Sequence, residues 1–364
     1  MKIKKHLLDL KSESYEKDVF AEGMFTDCAL GRNNFGVSDR LQELLKNYDD
    51  SRFWDSPDIS YSDLKRELCS FWINQAELKA ENIKVENGSR FVQERFNKIF
   101  ISEGVKVLGY APQYTGYVMV VLVMGGHFTN IKLNLEEGYK FNIDHFLPEI
   151  NSDFTIVFID NPNNPTGQII DLRDIEEIVK QADRKDCVVM VDEAYGDFLN
   201  KEDSAIGLIN KYNNLIVTRT FSKGYGMGKT KVGYGVMSSK LGEYYDKVSL
   251  GVPGSVSDLG AKLSRESLKD QDFIKKYRDW VKKNKSKCLQ GLNEMGYLIA
   301  ETYEYCPIFV MGHKDPEVDL RRELIAKNIL SVSGSHFRNL GKNYVRINLP
   351  ENPIEILDKL AVLK

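Results

Sequence analysis

The sequence predicts an α/β protein, with a large domain built on a mainly parallel sheet flanked by helices and a smaller α+β domain after it. Three observations carry this. Segments 155–159, 188–191 and 215–217 are essentially apolar, with no polar residue at every second position. That is the pattern of parallel strands covered on both faces. Helical periodicities lie between and around these segments, as strand–helix crossovers require. After Pro253-Gly254-Ser255 the character changes to a long Lys- and Leu-rich helical region, then shorter mixed elements.

The bulk composition agrees and removes several classes of function. The 364 residues suffice for two or three domains, and 42% hydrophobic with 28% charged residues is the balance of a soluble globular chain. A net charge of −3 gives no electrostatic case for nucleic acid or an anionic membrane. The five cysteines (Cys28, Cys69, Cys187, Cys288, Cys306) are scattered and form no C-x-x-C pair. This argues for reduced thiols, a cytoplasmic location and no zinc site or disulfide framework. The five histidines also lack metal-ligand spacing. The N-terminus has only a short apolar stretch soon followed by acids, so it does not read as a signal peptide, and the longest apolar run, 117–124, is too short to span a bilayer.

In chain order, residues 1–36 are irregular and polar, ending in Gly31-Arg32-Asn33-Asn34-Phe35-Gly36, either a ligand-lining loop or a plain extension. Residues 1–40 are assigned as an N-terminal arm and substrate loop that is part of the small domain. Ser38 caps a helix with Leu41, Leu44 and Leu45 on one face, and Ser62 begins another carrying Leu64, Leu68, Phe71 and Trp72. Between them Phe53-Trp54-Asp55-Ser56-Pro57-Asp58 is a turn-rich connection. Asn87-Gly88-Ser89 opens a helix with Phe91, Val92, Phe96 and Ile99 facing inward, and its N-terminus is suited to an anion. Residues 105–108 read as a strand. Residues 118–124 fit a strand or a buried helix, and Gly125-Gly126 after them favours the helix. Strand 155–159 runs into Asp160-Asn161-Pro162-Asn163-Asn164-Pro165-Thr166-Gly167, after which Asp171 caps a helix with Ile175, Ile178 and Val179. Strand 188–191 ends in Asp192-Glu193-Ala194-Tyr195. Strands 215–217 and 232–236 flank Thr218-Arg219-Thr220-Phe221-Ser222-Lys223-Gly224. The large domain therefore spans 41–255. The small domain spans 256–364, with a helical region over 257–295, strands at 308–310 and 344–347, and a helical candidate at 318–327.

Three strand ends carry polar clusters: Asn164, then Asp192 with Tyr195, then Ser222-Lys223. In a parallel sheet such ends share one edge, where ligands bind. Small hydroxyls and a Gly-rich turn suit a phosphate, and a lysine drawn out of water can form a Schiff base. A buried acid can keep a ring nitrogen protonated, and a phenol and an amide can hold a ring hydroxyl. Together these are the needs of pyridoxal phosphate.

On the strength of Asn163-Asn164-Pro165-Thr166-Gly167, Val191-Asp192-Glu193-Ala194-Tyr195, Arg219-Thr220-Phe221-Ser222-Lys223 and Tyr344-Val345-Arg346-Ile347, in order and spacing, the chain resembles a known family. It is similar to the fold-type I, aspartate-aminotransferase-like pyridoxal phosphate enzymes, from roughly residue 30 to the end. Within them it looks most like the histidinol-phosphate aminotransferase branch, which includes a threonine-phosphate decarboxylase. The resemblance implies a seven-stranded sheet in the large domain, a homodimer and a cytoplasmic enzyme of amino-acid biosynthesis. It implies Lys223 as Schiff-base lysine and proton shuttle, Asp192 beside the pyridinium nitrogen, and Tyr195 and Asn164 on the cofactor's phenolic oxygen. Tyr114 would stack on the ring, while Ser89, Arg90, Thr220 and Ser222 would hold the phosphate. Arg346 would take the substrate α-carboxylate.

The chain also departs from the pattern. Where the family has a phosphate-gripping arginine eight residues after the lysine, this chain has Lys231, a point charge without a fork. No tyrosine stands where a neighbouring subunit usually supplies one; Trp54 is nearest. The N-terminal loop lacks the branch's glutamate and proline, so histidinol phosphate is not the expected substrate. Arg32, Asn33, Phe35, His336 and Arg338 are the candidate pocket residues.

With Lys223 as base at the α-carbon, return of the proton to the cofactor gives transamination, the first expectation. Expulsion of a β- or γ-group gives elimination or ring closure, and loss of CO₂ gives decarboxylation; a lyase or cyclase acting on a polar or cationic amino acid is the alternative. The shared core residues serve all of these. A non-catalytic regulator is disfavoured by the joint presence of Lys223, Asp192 and Arg346.

Overall fold

The structure is a computed structural model that describes residues 2–361 except 9, 12–13, 16–17, 19–22, 24, 50–54, 57 and 250–255. Trp54 and the turn at 253–255 lie outside the described residues. In order, β1 (Thr26–Asp27), α1 (Asp39–Lys46) and α2 (Ser62–Trp72) lead into β2 (Ile83–Glu86), α3 (Ser89–Phe100), β3 (Lys106–Ala111), α4 (Thr115–Val123) and β4 (His127–Lys132). Then come α5 (Ile143–Phe146), β5 (Phe154–Asp160), α6 (Leu172–Asp183), β6 (Val188–Asp192), β7 (Leu215–Thr220), β8 (Gly233–Met237) and α7 (Ser239–Ser249). Helices α8 (Asp258–Ser267) and α9 (Gln271–Glu294) precede β9 (Leu298–Ile299), β10 (Ile308–Gly312), α10 (Leu320–Ala326), β11 (Ile329–Leu330), β12 (Val332–Ser333), β13 (Tyr344–Asn348) and α11 (Ile354–Ala361).

The fold class is the one the sequence predicts. A seven-stranded sheet runs β2-β8-β7-β6-β5-β3-β4, parallel throughout except for β8. A four-stranded antiparallel sheet, β12-β13-β10-β9, forms the second layer system, and β1 pairs with β11. The apolar runs are explained by burial on both faces. Along β5, Val157 and Ile159 pack with Leu64, Leu68 and Ile175, while Ile156 and Phe158 pack on the opposite face with Val92, Phe96 and Tyr117. Each such side chain contributes about 1.5–3 kcal/mol by leaving water. Register then does the functional work. Asp160 pairs with Asp192, and Asp192 with Thr218, so three strand ends stand side by side.

Residues 118–124 fall mainly in a helix, α4, as their setting suggests. Other local expectations change. Neither β2 nor β4 is evident in the sequence. In β2 the alternate residues Lys84 and Glu86 look solvent-facing but are buried, paired with Asp246 at 2.8 Å and Arg95 at 3.0 Å. Strand β4 is a polar edge strand. The helical region over 257–295 is two helices, because Asp270 turns its side chain to accept from Phe273 N and starts α9 afresh. Leu45 and Phe91 face outward, and Ser38 holds the cap position of α1 without a side-chain cap bond.

Candidate active site

A cavity of about 460 Å³ opens at the C-terminal ends of β5, β6 and β7, closed on one side by the start of α3. It is lined by Ser89, Arg90, Tyr114, Asn164, Asp192, Tyr195, Thr220, Ser222, Lys223 and Lys231, all ten of the residues that the resemblance assigns to a cofactor.

At its centre Lys223 Nζ donates to the Gly31 carbonyl at 2.9 Å and stands 5.2 Å from the centre of the Tyr195 ring. Burial pushes this amine down from 10.5 to about 7, and the charges of Arg346 and Lys231 add to the shift against the pull of Asp192. Near neutrality it is therefore partly an unprotonated nucleophile and base. The N-terminal loop approaches so closely that a Cβ on Gly31 would lie 2.3 Å from Tyr195 Oη and 2.8 Å from Lys223 Nζ. A larger residue there would require these side-chain ends or the loop to shift.

Asp192 closes the inner wall. Its Oδ1 accepts from Thr218 Oγ1 at 3.0 Å and from Ala194 N at 3.1 Å, and Gln93 Nε2 donates to the same Thr218 hydroxyl at 3.1 Å. Burial still raises the carboxyl from 3.8 to about 7, opposed by the hydrogen bonds and reinforced by Asp160. A cation placed against it would pull that value back down. Tyr195 is buried, burial raises its phenol well above the ordinary value, and its Oη has no hydrogen-bond partner among the described residues.

The loop after β5 is held from within. Asp160 Oδ2 accepts from Asn164 N at 3.0 Å and from Tyr114 N at 3.2 Å, which fixes Tyr114 at the head of α4. Asn164 Oδ1 accepts from Arg346 Nη1 at 3.0 Å, and Arg346 Nη2 donates to the Ala29 carbonyl at 2.6 Å. Arg346 Nε is buried without a partner among the described residues, and its guanidinium lies 4.7 Å from the centre of the Tyr15 ring.

The opposite end is an anion pole. Gly88, at φ +86°, lets the chain turn into α3, so that Ser89 and Arg90 open the helix at the cavity wall. Thr220 Oγ1 lies 3.0 Å from Ser222 Oγ and accepts from Ser222 N at 3.2 Å. Lys231, at φ +54°, completes this pole. A helix N-terminus, hydroxyls and two cations together suit a phosphate.

The candidate pocket residues divide. Arg346 meets the cavity through Asn164. Asn33 does not face it; its side chain is engaged with Gly224 O at 2.5 Å and Phe35 N at 2.8 Å. Phe35 packs edge-on to Tyr277 and Trp280, with ring centres 5.1 and 5.6 Å away. Arg338 reaches Asn130 Oδ1 at 2.9 Å on β4, Arg32 pairs with Asp27, and His336 pairs with Asp18. Conversely, Tyr15, Gly31 and Asp160 stand at the site without having been singled out. Asp160 ends a strand as Asp192 does and was open to the same reasoning. Tyr15 sits in an arm without periodicity and nothing in its sequence setting marks it, while Gly31 opens the stretch read as a ligand-lining loop but carries no side chain to suggest a role of its own. Among the described residues no group of three or more His, Cys, Asp and Glu could hold a metal ion, and no helix is long and apolar enough to cross a membrane.

Comparison with known proteins gives the same direction. A family model described as aminotransferase class I and II matches residues 27–362. The chain is 30% identical over 321 residues to the "Putative threonine-phosphate decarboxylase" of Caldanaerobacter subterraneus subsp. tengcongensis, covering 86% of this chain and 83% of that one. It is 28% identical over 354 residues to a histidinol-phosphate aminotransferase of Clostridium novyi, covering 96% and 92%. In fold it is similar to histidinol-phosphate aminotransferase from Sinorhizobium meliloti in complex with pyridoxal-5'-phosphate, with a TM-score of 0.81, 18% identity and coverage of 99% and 96%.

Proposed function

Because the chain belongs to the class I and II aminotransferase family, we propose that it binds pyridoxal phosphate at Lys223 and transfers the amino group of an L-amino acid to a 2-oxo acid. The observation that carries this reading is the juxtaposition of Lys223, an amine brought to about 7, with buried Asp192 and the anion pole of Ser89, Thr220 and Ser222.

The residues fit the cofactor. The unpartnered Tyr195 hydroxyl needs an acceptor or donor that the described residues do not supply, and a buried phenol without one costs about 1–3 kcal/mol. Asp192 suits a protonated ring nitrogen, Tyr114 the ring face, and the start of α3 with Arg90 and Lys231 the phosphate. When bound, pyridoxal phosphate supplies an aldehyde that captures amines and a ring that accepts the electron pair of a broken bond at the α-carbon. The protein's own groups do the rest. Lys223 takes the α-proton and returns it, and its value near 7 suits both steps at neutral pH. Arg346 orients the α-carboxylate through a forked pair, and its unpartnered Nε supplies a donor for it. That orientation decides which bond at the α-carbon breaks.

Loss of CO₂ is the second reading, supported by the similarity to the Caldanaerobacter protein. An amino-acid panel in D₂O, with and without a 2-oxo acid, separates the two. Transamination requires the acceptor for turnover. Product formed without it, together with released CO₂, rejects transamination in favour of decarboxylation.

A further inference from the structure

Three buried charges lie behind the lysine turn, away from the cavity lining. Arg219 Nη1 donates to Glu193 at 2.7 Å and Nη2 to Asp197 at 2.9 Å, and the three side chains are 6% exposed or less. Glu193 is held in turn by Ser204 Oγ and Ala205 N, both at 2.7 Å. Burying such a triad is costly, and apolar replacements are often as stable, so its presence calls for a role beyond stability. The remaining oxygen of Asp197 indicates one, since Oδ2 accepts from Gly224 N at 3.1 Å.

Gly224 follows Lys223, and its other backbone group is held as well. Its carbonyl accepts from Asn33 Nδ2 at 2.5 Å. Asn33 is buried, and its own Oδ1 is fixed by Phe35 N. The approach of Asp197 leaves no room for a side chain, since a Cβ on Gly224 would lie 2.5 Å from Asp197 Cβ. Thus the N–H and the C=O of one residue are gripped from opposite sides, by the segment after β6 and by the N-terminal loop.

We propose that Asp197 and Asn33 are positioning residues that pin Gly224 and so aim the Lys223 amine into the cavity. Lysine has a long, flexible stem, and the direction in which it leaves the backbone decides whether its amine meets the cavity or water. Held as it is, the amine faces Gly31 O from the N-terminal loop, Asp192 and Tyr195 from the end of β6 and beyond, Arg346 from β13 and Lys231 beyond the turn. Asp197 acts with Arg219 behind it. Asn33 ties the same aim to docking of the loop. This rests on the reading of Lys223 as the lysine that carries the cofactor.

The test uses Asp197→Asn, which removes the charge that Arg219 holds, and Asn33→Ala, which leaves the triad intact and so avoids an unpaired buried charge. In the cofactor-free protein, acetylation of Lys223 by acetic anhydride is followed against pH by mass spectrometry. In the loaded protein, kcat/KM is measured against pH. Both variants should raise the apparent pKa of the amine by one unit or more, lowering its reactivity and kcat/KM at pH 7 by about tenfold. The KM for the amino acid should move less than about threefold, since Arg346 is untouched. If Asp197→Asn does not fold, Asn33→Ala decides alone. Folded variants whose Lys223 titrates as in the unaltered protein overturn the proposal. A lysine-bound absorption band that persists in Lys223→Ala instead overturns the reading of Lys223, and the proposal with it.

Discussion

Arg346 and Asn164 are joined directly across the two sheets, with Arg346 Nη1 donating to Asn164 Oδ1 at 3.0 Å. One arginine on β13 thereby touches the loop after β5, and through Ala29 O it touches the N-terminal loop as well. The small sheet is thus registered against the cavity by the residue proposed to receive the substrate carboxylate.

Replacing Arg346 with lysine keeps the charge and removes the fork. The fork both binds the carboxylate and aims the α-carbon bond, so the KM for the amino acid should rise about 100-fold and kcat should fall as well. Such a rise corresponds to about 2.7 kcal/mol, the size of a charge-assisted hydrogen bond. Steady-state kinetics give the answer, and an unchanged KM removes Arg346 from the substrate.

Asp192 makes a prediction about stability. Its carboxyl is raised in the folded, cofactor-free protein from 3.8 to about 7, so the folded state holds more protons than the unfolded state between those values. Stability therefore falls as pH rises through that window, by up to roughly 4 kcal/mol, and stays low above it. The isosteric Asp192→Asn should be the more stable protein at pH 8 and should lose that advantage at pH 4. Urea unfolding at the two pH values checks the sign. In the loaded protein the same change should lower kcat about 10²–10³-fold, as removal of a preorganised charge does.

Tyr195 should show opposite signs with and without cofactor. Its hydroxyl is buried and unpartnered among the described residues, so Tyr195→Phe should leave the cofactor-free protein as stable or about 1 kcal/mol more stable. With pyridoxal phosphate present the variant should be the less stable one, because a hydrogen bond to the cofactor is lost. Thermal melts in both states read this directly. Destabilisation in both would mean that the hydroxyl already has a partner in the protein.

Gly31→Ala tests the close approach of the N-terminal loop. The added carbon would lie too close to Tyr195 Oη and Lys223 Nζ, so the loop or these two catalytic side-chain ends must shift. Activity should fall tenfold or more on the order expected for a misplaced catalytic group, while the melting temperature changes little. Wild-type turnover in this variant would show that the loop does not lie over Lys223 during catalysis.

Much of the fold was legible because β5, β6 and β7 are buried on both faces and so wrote long apolar runs into the sequence. Their ends carried Asn164, Asp192 and Lys223 in plain view. Strand β2 was hidden because Lys84 and Glu86 are polar, and only the folded chain brings Asp246 and Arg95 to neutralise them. The cavity's base was readable for the same reason as the strands. Its roof was not, because the residues around 15 and 31 follow no period, and their place depends on contacts with Arg346 and Lys223 far along the chain. Asn33, singled out for a pocket, turns instead to Gly224, a backbone contact that no side-chain motif announces.

The central claim is that Lys223 carries the cofactor. Loading the protein with pyridoxal phosphate, reducing it with borohydride and mapping the pyridoxyl group by peptide mass spectrometry tests it most directly. The account predicts one modified peptide, with the group on Lys223, and no fixed label in Lys223→Ala. A label on Lys229 or Lys231, or one that survives in Lys223→Ala, would contradict it.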